Sequence, residues 1–335
     1  MVTVGLVIEW VIKAIILVLS LTLGFAYVTL YERKVLARMQ VRVGPNRAGP
    51  QGFLQPIADA IKLIFKEELT PANAQKVIFF IAPIITVLPA LTVTAVVPWG
   101  DKINLFGREI SLVVADINVG VLWILSVTSI SVYGIALAGW SSNNKYASLG
   151  GLRSTAQMIS YELALGLAYV GPMLIAGSMR VMDIVNAQKG LWFVILQPVA
   201  FLIYAIASIA EINRAPFDMP EAEQELTAGF HTEYSGMKFA VFFMAEYIKM
   251  IAISMIGVTL FFGGFLGPFV DKLPWLGPIY LFIKTMVWLF VIIWVRATWP
   301  RIRYDRLMAF GWKILFPLAL LNALVTATVI ILVGG

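Results

Sequence analysis

Acidic side chains are the residues in this chain best suited to moving protons, and they are crowded. Between Glu211 and Lys249 the chain reads EINRAPFDMPEAEQELTAGFHTEYSGMKFAVFFMAEYIK. Asp218, Glu221, Glu223, Glu225 and Glu233 lie in its middle, with Glu211 and Glu246 at its shoulders. The full chain holds 19 acids in 335 residues, so seven in this one stretch is a strong local excess. Carboxylates repel one another, and each is costly to place in hydrocarbon. Such a cluster persists only when it is hydrated, protonated or paired, as in a site that handles protons. A solvated loop accounts equally well for Glu221, Glu223 and Glu225 taken singly. It does not account for Glu246, which lies inside the apolar stretch FAVFFMAEYIKMIAISMIGV.

Depth groups three of the acids. At 1.5 Å per residue, Glu162 is expected roughly 10 Å inside a helix starting near Thr155, and Glu246 roughly 12 Å inside one starting near Lys238. Glu211 falls near the end of the preceding apolar run. All three are expected in the same half of the membrane, on neighbouring helices, where acids can exchange protons through intervening water. The competing reading for each is a static ion pair. Lys249 stands three residues beyond Glu246 as a partner for it, and Glu9 with Lys13, spaced i,i+4, reads as such a pair. Tyr161 adjoins Glu162 and lies four residues from Gln157.

The elements that must position these acids follow from composition. Sixty per cent of residues are hydrophobic and 13% charged, and mean hydropathy is +0.87; a soluble domain carries roughly 25% charged residues. The predicted class is an all-α polytopic membrane protein. Apolar runs long enough for a core of ~30 Å fall near 4–31, 77–97, 112–138, 155–177, 190–212, 238–261, 278–299 and 310–333. Eight transmembrane helices in a single membrane domain, 1–335, are expected, with no cleaved leader because the first run is long enough to remain as a span. The runs are too long and too continuous for barrel strands. Lys and Arg divide fourteen to five between the odd and even loops. That places the odd loops, and so the acidic loop, in the cytoplasm, with both termini on the outer side of a cell membrane.

The first odd loop is more than a connector. ERKVLARMQVRVGPNRAGPQG is a basic, turn-rich collar, and FLQPIADAIKLIFKE after it is periodic. Phe53, Leu54, Ile57, Ile61, Ile64 and Phe65 share one face, and Gln55, Asp59, Lys62 and Lys66 another. An amphipathic helix near 50–67, lying on the cytoplasmic surface of the membrane, is expected. There is no cysteine, so thiolate metal sites and iron–sulfur ligation are excluded for this chain. The lone histidine, His231, does not make a zinc or haem site. No phosphate loop, dinucleotide fingerprint or Ser-His-Asp arrangement is present, and basic residues distributed by topology do not indicate nucleic acid.

Several long motifs carry a resemblance. GPNRAGPQGFLQPIADAIKLIFKE, SYELALG, AEINRAPFDMPEAEQELTAGFHTEYSG, FFMAEY and RATWPRIRYDRLM resemble the H subunit of bacterial complex I, the NADH dehydrogenase subunit 1 family, over most of the chain. The resemblance implies eight transmembrane helices and a surface helix that form the membrane wall of a quinone chamber. It also implies the start of an acidic path linking quinone reduction to proton translocation. Glu162, Glu211 and Glu246 then match the buried acids of that path. Asp218, Glu221, Glu223 and Glu225 match the acidic coupling loop. Glu32, Arg33, Asp59, Arg214, Phe239 and Phe243 match positions at the quinone cavity or its entrance. Quinone is the implied substrate. NADH, flavin and iron–sulfur clusters would belong to partner subunits: the peripheral arm on one side, antiporter-like membrane subunits on the other, with lipid around them. No cofactor is expected on this chain. Ser129 departs from the pattern, because some bacterial relatives carry an acid there, and water or another acid would have to complete the path. Two rivals stand beside this reading: a related subunit of a membrane-bound hydrogenase or ferredoxin-linked complex, and a self-contained secondary transporter. The transporter would show an inverted repeat with paired broken helices, and none is recognisable.

Overall fold

Long apolar stretches become helices because the hydrocarbon core offers backbone groups no other partner. A computed structural model describes residues 4–105, 108–218 and 229–334. The helices are α1 (Val4–Met39), α2 (Gln55–Ile64), α3 (Lys76–Thr92), α4 (Gly120–Ser141), α5 (Lys145–Ala176), α6 (Val181–Ala187), α7 (Phe193–Leu196), α8 (Pro198–Glu211), α9 (Gly236–Phe261), α10 (Leu276–Thr298), α11 (Tyr304–Phe310) and α12 (Phe316–Gly334). Among the described residues, seven helices are long and apolar enough to cross a membrane, α11 and α12 counting as one through a π turn at Gly311–Leu315. The chain is an all-α polytopic integral membrane protein. Its outer face is apolar where lipid would lie: Ile8, Ile12, Ile15, Leu19 and Leu23 of α1 and Ile331 to Val333 of α12 are exposed.

Four element boundaries differ from the apolar runs, each for a physical reason. The run from 112 does not become helical until Gly120. A short antiparallel hairpin, β1 (Lys102–Leu105) with β2 (Arg108–Ser111), precedes it, and backbone bonds from Trp99 N to Leu112 O (3.1 Å) and Ala115 N to Ala95 O (3.0 Å) hold the segment extended. α5 begins ten residues earlier than its apolar run, because the Asn144 side chain caps it by accepting from Tyr146 N at 2.9 Å. α1 continues through Glu32, Arg33 and Lys34, charges that end an apolar run without ending a helix. The run 190–212 is broken into α7 and α8 at Gln197, before Pro198, so the fifth expected span is a helix of only 14 residues. Pro198 has no N–H to continue the ladder and instead starts the next helix.

Close approaches fix the helices around the acids. A Cβ on Gly134 would lie 2.1 Å from Thr86 Oγ1, so α3 and α4 touch there only because the residue is glycine. Gly257 leaves room for the Tyr204 ring, whose hydroxyl donates to Ile253 O, joining α8 to α9. Pro83 frees the carbonyl of Phe79, and Tyr234 donates its hydroxyl to that oxygen at 3.3 Å while its ring stacks on Phe79 at 4.0 Å. Lys238, at the start of α9, sits over Phe80 (3.9 Å), bonds Thr70 Oγ1 (3.1 Å) and pairs with Glu68 (3.5 Å). These contacts tie the segment after α2 to the entry of α9. At the opposite end of the bundle, Lys284 of α10 donates to the carbonyls of Phe262, Gly264 and Leu266, closing the C-terminus of α9.

Candidate functional site

The turn after α8 presents the central residue, and a buried amide shapes it. Gln157 of α5 donates to Ala210 O (2.9 Å), Asn213 Oδ1 (3.1 Å) and Phe217 O (2.7 Å), and Asn213 donates to Ser154 Oγ (3.1 Å). Asn213 adopts φ 56°, a left-handed backbone that asparagine tolerates better than most residues. The next residue, Arg214, is thereby turned inward and is 4% exposed.

Arg214 lies between two acids from different helices. It forms a direct ion pair with Glu246 of α9, and Glu32 of α1 stands 3.6 Å away. Its guanidinium also rests 4.5 Å from the centroid of the Tyr247 ring. Glu32 is itself paired with Arg296 in the last turn of α10. Two acids and two arginines thus form one chain of ion pairs, buried at Glu32 and Arg214 and half-buried at Glu246 and Arg296, at the α2 end of the bundle. The partner expected for Glu246 from spacing alone, Lys249, is not its ion-pair partner. Lys249 and Glu211 instead line one small cavity.

An aromatic face leads to this cluster. Phe239, Phe243 and Tyr247 recur every four residues on α9 and so share one side. Phe239 and Phe243 are parallel at 6.0 Å, Phe243 meets Tyr247 at 4.7 Å, and Phe25 of α1 lies 6.2 Å from Phe243 and 6.0 Å from Tyr247. The result is a row of packed aromatic rings between α1 and α9 that runs to the Arg214 guanidinium. At its flank Arg33 bonds Asp59 of α2 at 2.7 Å, and Gln55 holds the other oxygen of Asp59 at 3.1 Å, fixing the surface helix against the end of α1.

The remaining acids lie deeper or to one side. Glu162 of α5 accepts a hydrogen bond from Ser129 of α4, the residue that departs from the acidic pattern. Glu211 is 1% exposed. Asp218 is buried and pairs with Arg301 at 3.0 Å. His231 stands edge-on to Phe230 and tilted against Phe239; burial pushes its imidazole below the ordinary value, and nearby Asp218 pulls it the other way. Burial pushes the Tyr234 phenol up to about 12. Glu221, Glu223 and Glu225 lie outside the described residues. The expected static pair of Glu9 with Lys13 is present at 2.6 Å.

Arg296, Tyr247 and Phe25 belong to the site and were not singled out by sequence reasoning. Arg296 carried a signal, an arginine closing an apolar run four residues before Pro300. Tyr247 adjoins Glu246 in FFMAEY. Phe25 carried none, since spacing does not distinguish one ring among many in an apolar helix. Among the described residues no group of His, Cys, Asp and Glu is arranged to hold a metal.

Comparison with known proteins bears on this geometry. A model of the NADH dehydrogenase family matches residues 12–327. An NADH-quinone oxidoreductase H subunit of Geobacter metallireducens is 52% identical over 319 residues, covering 95% of each chain. The corresponding H subunit of Thermomicrobium roseum is 52% identical over 322 residues, covering 93% of each. That of Protochlamydia amoebophila is 51% identical over 302 residues, covering 90% of this chain and 91% of its own.

Proposed function

This chain belongs to the NADH dehydrogenase family, and from that membership we propose that it is the membrane subunit of an NADH:quinone oxidoreductase that walls the quinone chamber and begins the proton path. The observation that carries this reading is the row of aromatic rings between α1 and α9 ending on buried Arg214. An isoprenoid tail is apolar and suits Phe25, Phe239 and Phe243. A quinone head carries carbonyl oxygens that accept hydrogen bonds, and it becomes more negative on reduction. Arg214 and Arg296 donate hydrogen bonds and carry positive charge, so they would attract the reduced head more strongly than the oxidised one.

The coupling step follows from the composition of the cluster. Arg214 is held by Glu32 and Glu246 at once. Negative charge arriving beside it competes with both acids, which loosens their ion pairs and favours proton uptake by them. Glu246, Glu211 and Glu162 then form the row along which that change passes. Asp218, with Glu221, Glu223 and Glu225, would make the chamber side of the same acidic track, and Arg33 with Asp59 would hold α2 at the entrance. Electrons would come from NADH by way of flavin and iron–sulfur clusters in peripheral-arm partners. The proton signal would leave toward antiporter-like membrane subunits. In this reading the α2 end faces the cytoplasm, both termini lie on the outer side of the cell membrane, and residues 1–335 act as one membrane domain surrounded by lipid.

The test is Arg214→Met in the whole complex. Quinone reductase activity should fall at least about tenfold, since truncating one member of a buried charge cluster typically costs about 3–5 kcal/mol. Electron transfer from NADH to a water-soluble artificial acceptor, which draws electrons before the membrane, should persist. Equal loss of both activities would reduce Arg214 to a residue of assembly.

A further inference from the structure

Lys238 is a nearly buried cation in the first turn of α9, 7% exposed. Its ammonium pairs with Glu68 at 3.5 Å and donates to Thr70 Oγ1 at 3.1 Å. It also lies 3.9 Å from the centroid of the Phe80 ring and 5.3 Å from that of Phe79, both on α3. Glu68 and Thr70 belong to the chain that leaves α2. Two further contacts fasten the same place. Ser235 donates its hydroxyl to Glu67 O at 3.0 Å. Gly236 takes a left-handed φ of 58° and comes so close that a Cβ there would lie 3.2 Å from Lys66 O. The chain leaving α2 and the chain entering α9 are therefore joined through an ammonium, a hydroxyl and a close backbone approach.

This join completes a frame. At its other end α2 is held to α1 by the 2.7 Å bond between Arg33 and Asp59. α1 is held to α9 by Phe25 against Phe243 and Tyr247, and by Arg214 between Glu32 and Glu246. Each pair of the three helices thus has its own fastening. The one between α2 and α9 stands a single residue before Phe239, the first ring of the aromatic row on α9. Resting on the reading of this corner as the quinone entrance, we propose that Lys238 is a positioning residue for quinone: it fixes the surface helix against the start of α9, and so fixes where Phe239 and Phe243 meet the isoprenoid tail. Lys238 touches no reacting atom and acts through α2 and α9. As a plain stabiliser its ion pair is worth little, because the Glu68 side chain is 43% exposed. Its effect is on where two helices stand.

The test is Lys238→Met in the whole complex, with steady-state kinetics on a long-tailed quinone and on a short soluble analogue. Methionine keeps an unbranched apolar side chain beside the rings and loses both bonds to the α2 side. The expected product is an assembled complex, by subunit composition, with unchanged electron transfer from NADH to an artificial acceptor. Its KM for the long-tailed quinone should rise at least about threefold while kcat stays within about twofold of wild type, the pattern of lost binding and not of lost chemistry. The short analogue should be unaffected. An unchanged KM in the assembled variant, or a rise of equal size for both quinones, overturns the proposal. If Lys238→Met does not assemble, Glu68→Gln decides. It removes the ion pair at a side chain open to solvent, and a tail-selective rise in KM of about twofold is expected; an unchanged KM overturns the proposal. Phe243→Ala separates Lys238 from the entrance itself. Tail-selective loss at Phe243 with none at Lys238 removes Lys238 alone, whereas no tail selectivity at Phe243 removes the entrance reading and this proposal with it.

Discussion

Glu246→Gln is the substitution on which the cluster at the α2 end makes its sharpest statement. Glu246 holds Arg214 in a direct ion pair while Glu32 holds it from 3.6 Å. Two unit charges ~4 Å apart at an effective dielectric of ~20 interact by about 4 kcal/mol. The amide still accepts a hydrogen bond from the guanidinium, returning about 1 kcal/mol, and the side chain of Glu246 is 18% exposed, which screens the pair further. The net loss is about 2 kcal/mol, or about thirtyfold in how firmly Arg214 is kept in place. Glu32 and the Tyr247 ring remain as partners, so the complex should assemble. Quinone reductase and proton pumping should fall together, because the amide neither binds nor releases a proton and the arginine at the end of the aromatic row is no longer held from both sides. Glu246→Asp should recover part of both. Adding Lys249→Met should rescue nothing, since Lys249 is not the partner of Glu246. The assay is turnover and dye-reported acidification in reconstituted vesicles, with assembly followed by subunit composition. Full pumping by an assembled Glu246→Gln complex would refute the assignment.

Phe243→Ala should slow turnover with a long-tailed quinone several-fold more than with a short soluble analogue, because the ring packs on Phe25 and Phe239 between α1 and α9; equal loss with both would remove it from the entrance. Arg33→Ala should weaken quinone-linked turnover and leave transfer to an artificial acceptor intact. The Arg33–Asp59 pair is partly exposed and worth at most about 1 kcal/mol to stability, so a failure to assemble would contradict the reading. At the opposite end of the bundle, the hydrogen bond from Arg180 and its nearby charge hold the Asp116 carboxyl below the usual range. A lowered folded value contributes stability above the ordinary carboxylate value that is lost as pH falls through the folded one. Thermal midpoints of the wild type and Asp116→Asn in detergent should therefore differ near neutrality and converge in acid; a gap that persists at low pH would assign the effect to packing.

Membrane class, run positions and the crowding of acids at 211–246 were legible in the linear sequence. Each depends on composition over a window, and the membrane acts on a window as a solvent acts on a solute. The i,i+4 pair Glu9–Lys13 was legible for the same reason, since helix geometry alone brings those side chains together. Helix boundaries were less so. Charges at Glu32 and Lys34 end an apolar run but not a helix, and the polar first turns of α5 hid a helix start that Asn144 caps. Spacing also suggested Lys249 for Glu246, but only tertiary structure chose among the cations within reach. Gln157 and Asn213 turn Arg214 inward onto Glu246 and Glu32, and the packing of α3, α4 and α8 around α9 leaves Lys249 lining one small cavity with Glu211. A buried charge selects its partner by distance and desolvation in three dimensions, and neither quantity can be read from the linear order of residues.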